Sequence, residues 1–107
     1  MSSSGMILCY GTAPDEKTAE TIARQLVEEK LAACANLIPG MKSIYRWEGK
    51  LEESREVVML LKTRETLWEP LLDRFLELHP YENPCLLQLS LDRAAPLYLQ
   101  WLSDETT

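Results

Sequence analysis

The sequence predicts an α+β domain in the order β-α-β-β-α-β, with one more short helix at its C-terminal end. Two observations carry that reading. Apolar residues recur at a period of two in some stretches and near four in others, and the stretches alternate. The span Leu31–Thr63 places two strand-like arms around one short turn.

The first element is Met6-Ile7-Leu8-Cys9-Tyr10, a short apolar run followed by Gly11 and Thr12. It reads as a buried strand. Pro14 with Asp15 and Glu16 then opens a helix that runs to Leu31, its acidic residues suited to the positive end of the helix dipole. Ala19, Ile22, Ala23, Leu26 and Val27 mark its apolar face, and Glu20, Arg24, Gln25 and Glu28 its wet one.

The long hairpin follows. Ser43-Ile44-Tyr45-Arg46-Trp47 forms its first arm and Val57-Val58-Met59-Leu60-Leu61 its second. Glu48-Gly49-Lys50 supplies the turn, with Gly49 free to take a positive φ. Gly40, beside Pro39, predicts a bulge or bend in the first arm.

A second helix is expected to start between Thr63 and Glu69 and to reach Leu78. Thr66-x-x-Glu69 fits a capping box, and Pro70 is tolerated only in a first turn. Trp68, Leu71, Leu72, Phe75 and Leu76 would form its buried stripe. His79-Pro80 ends it, because a residue before proline leaves the α region. Cys85–Leu91 reads as the fourth strand, with Leu87, Leu89 and Leu91 on one face. A last helix, Ala94–Leu102, carries Leu97, Tyr98 and Trp101. This order is the ferredoxin-like split βαβ, an antiparallel sheet with its two main helices packed on the same face.

With 107 residues, 46% of them hydrophobic, the chain suits one domain, residues 6–107, behind a flexible leader at 1–5. Its net charge of -6 repels phosphates, so neither nucleic acid nor an anionic membrane is expected as a partner. An RNA-binding domain of the same element order is disfavoured further by the lack of an aromatic run on the strands. No apolar run approaches the length of a spanning helix. Cys9, Cys34 and Cys85 are odd in number and widely spaced, which predicts free thiols in a reducing cytoplasm.

The residues with chemical potential fall into two sets. His79 is the only histidine, and no nucleophile elbow, phosphate loop or metalloprotease motif occurs, so a non-enzymatic protein is expected. Imidazole and thiolate together suit copper or zinc, which makes His79, Cys9 and Cys85 the candidate metal set. His79 equally suits the negative end of the preceding helix. Cys34 reads as a small buried hydrophobe. The second set is Tyr45, Trp47, Glu56, Lys62, Tyr81 and Glu82, which could line a small-ligand pocket or a subunit interface. Glu56 and Lys62 could also form a structural ion pair.

Four pieces in one order resemble the CutA family, small proteins associated with divalent-cation tolerance. They are Leu31-Ala32-Ala33-Cys34-Ala35-Asn36, then Ser43-Ile44-Tyr45-x-Trp47-x-Gly49, then Glu56 and Lys62-Thr63, then His79-Pro80-Tyr81-Glu82. The resemblance runs from about Thr12 to Trp101. It implies a homotrimer that responds to copper or another divalent metal. The family is also similar to the PII signalling proteins in fold and assembly, which implies small-effector sites at subunit clefts; an amino-acid sensor of ACT type is a weaker form of that reading. The chain departs from the family pattern in three places. Gly11 stands where many members have cysteine, Leu78 where some have a second histidine, and Cys85 where glutamate is usual.

The sheet's outer edges carry unpaired backbone, and closure with neighbouring hairpins would hide them. Tyr45 and Trp47 are therefore expected at contacts between copies.

Overall fold

A computed structural model of the chain describes residues 4–107, so part of the expected leader lies outside the described residues. The elements are β1 (Met6–Ala13), α1 (Glu16–Glu28), β2 (Cys34–Trp47), β3 (Lys50–Arg64), a 3-10 turn (Glu65–Leu67), α2 (Trp68–Leu78), β4 (Leu86–Leu91) and α3 (Pro96–Asp104). The four strands form one sheet in the order β2-β3-β1-β4, every pair antiparallel. The α+β class and the βαββαβ order are those the sequence predicts.

Register sorts the side chains onto two faces. Ile7, Cys9 and Ala13 of β1 stand opposite Thr63, Leu61 and Val57 of β3, and all six are buried. Ile22 and Leu26 of α1, with Leu71 and Phe75 of α2, close over this face to make the main core. Both helices therefore share one side of the sheet. A core of this kind contributes roughly 1.5–3 kcal/mol per large apolar side chain taken from water.

α1 starts where the acidic residues suggest. Asp15 is the N-cap, its side chain accepting the Thr18 N–H at 2.8 Å. The helix stops at Glu28, three residues short of the expected end, as Lys30 turns to φ 62°. The capping box at Thr66 is not formed. Thr66 lies inside the 3-10 turn, and α2 begins after it with no side-chain cap. A strand that runs directly into a 3-10 turn leaves Thr66 no extended N-cap position to occupy.

β1 also differs from expectation. It passes through Gly11 to Ala13, because Gly11 pairs with Met59 on one side and Leu86 on the other. A Cβ at Gly11 would sit 3.1 Å from the Cys85 carbonyl oxygen and 3.1 Å from Phe75 Cζ. A side chain at Gly11 would require α2 or the start of β4 to move back by a few tenths of an ångström.

α3 packs on the other face of the sheet, not with α1 and α2. Arg64 donates to the Ser103 carbonyl at 2.7 Å and to Thr106 Oγ1 at 2.9 Å, and Lys62 donates to the Tyr98 hydroxyl at 3.0 Å. Its apolar anchor is Leu102, buried with Met6 and Ala33. Leu97, Tyr98 and Trp101, expected to carry the helix, are exposed, Leu97 to 88%. The three share one face of the helix, but α3 turns Leu102 and Leu99 to the sheet and leaves that face outward.

β2 and β3 outrun the rest of the sheet. β1 ends at Ala13 opposite Val57, whereas the hairpin continues to Trp47 and Lys50. None of residues 41–55 is buried. This overhang of seven residues per strand projects about 20 Å. It gives the molecule a long axis of 45 Å against 25 and 24 Å across. The turn at its tip is a two-residue one, with φ 49° at Glu48 and 78° at Gly49, the left-handed pair that tight hairpins need.

Candidate functional site: a cleft beneath the hairpin overhang

The site begins with a bulge. Ile38 pairs with Val58, but Met41 pairs with Glu56, so Pro39 and Gly40 together oppose Val57. One extra residue reverses the alternation of every side chain beyond it. Tyr45 and Trp47 are thereby turned onto the face that carries Ile38, Glu56 and Lys62. Without the bulge they would point to the opposite side.

The far wall is the loop after α2. His79 is buried there and pins the loop through both ring nitrogens. Nε2–H donates to the Thr12 carbonyl at 2.7 Å, and Nδ1 accepts the Tyr81 N–H at 3.1 Å. The Phe75 and Tyr81 rings flank the imidazole, with centroids 5.2 and 4.9 Å away. His79 thus fixes Tyr81 and Glu82 against the end of β1.

Between overhang and loop lies an open cleft of about 710 Å³. Five expected residues line it: Tyr45, Trp47, Glu56, Tyr81 and Glu82. Cys85, placed by the sequence in the metal set, lines it too. Tyr10, Thr12, Ser43 and Asn83 are additional lining residues that the sequence reading did not single out. Ser43 was within reach of period-two alternation with Tyr45 and Trp47. Tyr10 and Thr12 were not, since nothing local says that β1 lies beside β3.

Lys62 is elsewhere. It sits six residues along β3 from Glu56, about 20 Å by strand rise. There it donates to Tyr98, over whose ring it also lies at 5.2 Å. That hydrogen bond, with smaller contributions from nearby Cys34 and Tyr98 charge, holds the Lys62 ammonium above its ordinary pKa. The alternative of a Glu56–Lys62 ion pair is therefore not realised.

The cleft's electrostatics centre on Glu56. Its side chain is only 8% exposed. Among the described residues no hydrogen bond or ion pair engages its carboxylate. Burial raises the Tyr81 and Cys85 pKa values, and the negative charge of Glu56 raises both further. Both groups thus stay protonated, and Cys85 remains a thiol rather than a thiolate.

The expected metal set is not brought together. Cys9 points to the helix side of the sheet, fully buried, and burial pushes its thiol up to about 12. His79 spends both nitrogens inside the chain. No group of three or more His, Cys, Asp or Glu side chains able to hold a metal ion occurs among the described residues. Copper and zinc take deprotonated thiols and free imidazole lone pairs, so the arrangement within one chain does not fit them. All three cysteines are free.

Residues 7–105 match the family model described as CutA1 divalent ion tolerance protein. The divalent-cation tolerance protein CutA of Pyrococcus horikoshii is 48% identical over 101 residues, covering 94% of this chain and 98% of the relative. The crystal structure of CutA from Xylella fastidiosa superposes with a TM-score of 0.94 at 38% identity, covering 96% of this chain and 99% of that one. A CutA structure from Archaeoglobus fulgidus, described as a periplasmic divalent cation tolerance protein, gives a TM-score of 0.93 at 36% identity, covering 95% and 99%. With nearly the whole chain matched at this level, the protein belongs to the CutA1 divalent ion tolerance family.

Proposed function

We propose that the chain is a non-enzymatic homotrimer acting in divalent-cation tolerance, and that it works by binding a small effector in the cleft. The carrying observation is the cleft itself. Its volume lies in the range of small-molecule sites, it is walled by half-exposed aromatic rings, and one carboxylate, Glu56, opens into it without a side-chain partner among the described residues. Such a constellation favours the PII-like reading over a resident copper ion at His79.

Assembly is supported by the outer face of the sheet. Ile38, Leu87 and Leu89 are each about half exposed there, and α3 covers only the end near Met6. Contiguous apolar surface of this kind marks an interface. The number three rests on the family likeness. Three free cysteines support a reducing, cytoplasmic location, which cell fractionation tests directly.

The decisive experiment is calorimetric titration of the purified protein with copper, zinc and a panel of small effectors, nucleotides among them. A saturable effector signal lost in Trp47→Ala is the expected result. Tight copper binding abolished by His79→Ala, with no effector signal, would replace this reading with the metal one.

A further inference from the structure

Glu56 presents an unusual balance. The residue is only 8% exposed and has no hydrogen-bond or ion-pair partner among the described residues, yet none of their buried side-chain oxygens is left unsatisfied, so its carboxylate opens into the cleft. It lies at the floor of the cleft, where β1 ends and the overhang begins. None of the residues lining the cleft is a lysine or arginine. In the single chain the wall is instead aromatic: Tyr45, Trp47 and Tyr81 are each between two-fifths and half exposed. Aromatic faces carry negative quadrupole density and attract positive charge.

We infer that the cleft binds an organic ammonium ion, its charge set against Glu56 and its alkyl groups against the rings of Tyr45, Trp47 and Tyr81. The inference rests on the reading of the cleft as a ligand site and specifies the ligand's chemical class. A compact inorganic cation is a poorer occupant. It needs several hard or soft donors around it, whereas Glu56 is one carboxylate beside a protonated phenol and a protonated thiol. An ammonium ion needs only one counter-charge and an apolar or π-rich wall. An anionic effector would meet Glu56 and Glu82 with no cation to offset them.

The test uses the full-length assembled protein and three probes: tetramethylammonium chloride, propylammonium chloride and neutral tert-butanol. Calorimetric titration is expected to show saturable binding of at least one ammonium probe and none of the alcohol. Glu56→Gln keeps shape and volume while removing charge, and should weaken binding about tenfold or more. Binding of the ammonium probe in preference to the alcohol needs no variant, so the test survives a Glu56→Gln protein that fails to fold.

Equal binding of alcohol and ammonium would overturn the inference, as would unchanged affinity in folded Glu56→Gln. A lysine or arginine of a second copy seated on Glu56 in a crystal of the assembly would also overturn it. A nucleotide that binds in a Trp47-dependent way while both ammonium probes fail would overturn the ligand class and leave the cleft reading intact. Failure of every probe and every effector would remove both.

Discussion

The two halves of the hairpin are built from one continuous pair of strands and live in different surroundings. In the half nearest the sheet centre, Val57, Met59, Leu61 and Thr63 alternate inward and are all buried beneath α1 and α2. Beyond the bulge the same strands keep their backbone pairing, but none of residues 41–55 is buried. Ile44, Leu51 and Trp47 are apolar and open to solvent. The first half is held by burial; the second is held by its own ladder and by a two-residue turn. The contrast teaches that the overhang was not shaped by the needs of this chain's core. Its apolar side chains suit a ligand or another copy.

The contrast is sharpest in stability. Leu61→Ala removes a fully buried side chain and should cost about 2–5 kcal/mol in a denaturant melt. Leu51→Ala, at a position 69% exposed, should change it by less than about 0.5 kcal/mol. Similar losses at the two positions under conditions that keep the protein monomeric would erase the distinction.

The pin between the halves comes next. His79→Ala deprives the buried Thr12 carbonyl of its donor and frees the Tyr81 loop, for a cost of about 1–3 kcal/mol. Effector affinity should fall with it, since the loop forms one wall of the cleft. Stability unchanged in the variant would show that the ring is not a structural pin.

Trp47→Ala should leave the melt of the isolated fold within about 0.5 kcal/mol, as befits a half-exposed residue. It should instead shift sedimentation at micromolar concentration from the proposed trimer toward the 12.3 kDa chain. A trimer unaffected by the change would place the contact on the outer sheet face alone.

The smallest effect concerns acid. Hydrogen bonds from Thr18, backbone first, hold the Asp15 carboxyl below its ordinary pKa. A carboxyl depressed by folding contributes stability above its unfolded pKa, near 4, and loses it as pH falls through the lower folded value. The fully exposed site makes this a slight effect. Helicity of α1 followed by circular dichroism should drop in that window, and Asp15→Asn should flatten the dependence. A pH profile identical in the two proteins would exclude Asp15 as its source.

Local chemistry made much of this legible. Gly49 announced the turn, Pro39-Gly40 the bulge, and Asp15 the start of α1. The misread elements share a cause. Thr66 satisfied a capping pattern that the chain's direct passage from strand to 3-10 turn made unusable. For the last helix the sequence names Leu97, Tyr98 and Trp101 without telling which surface α3 meets, and it is Leu102 that is buried.

The site divides the same way. The sequence groups Tyr45, Trp47, Glu56, Tyr81 and Glu82 in one polar and aromatic set, and the cleft contains all five. Lys62 looked equivalent to Glu56 by strand parity, which records the face of a sheet but not the distance along it. His79 and Cys9 looked like ligands because residue type reveals donor atoms and not whether they are engaged, as in His79, or buried as a thiol, as in Cys9.

By itself, then, the sequence determined the element order, the hairpin, its turn and its bulge, since these depend on periodicity and on backbone preferences within a few residues. Tertiary structure alone decided which side of the sheet α3 took, that His79 would be consumed by Thr12 and Tyr81, and that Glu56 would open into the cleft beside Tyr81 and Cys85. Each of those depends on strands and loops far apart in the chain meeting in space, and no local rule encodes such a meeting.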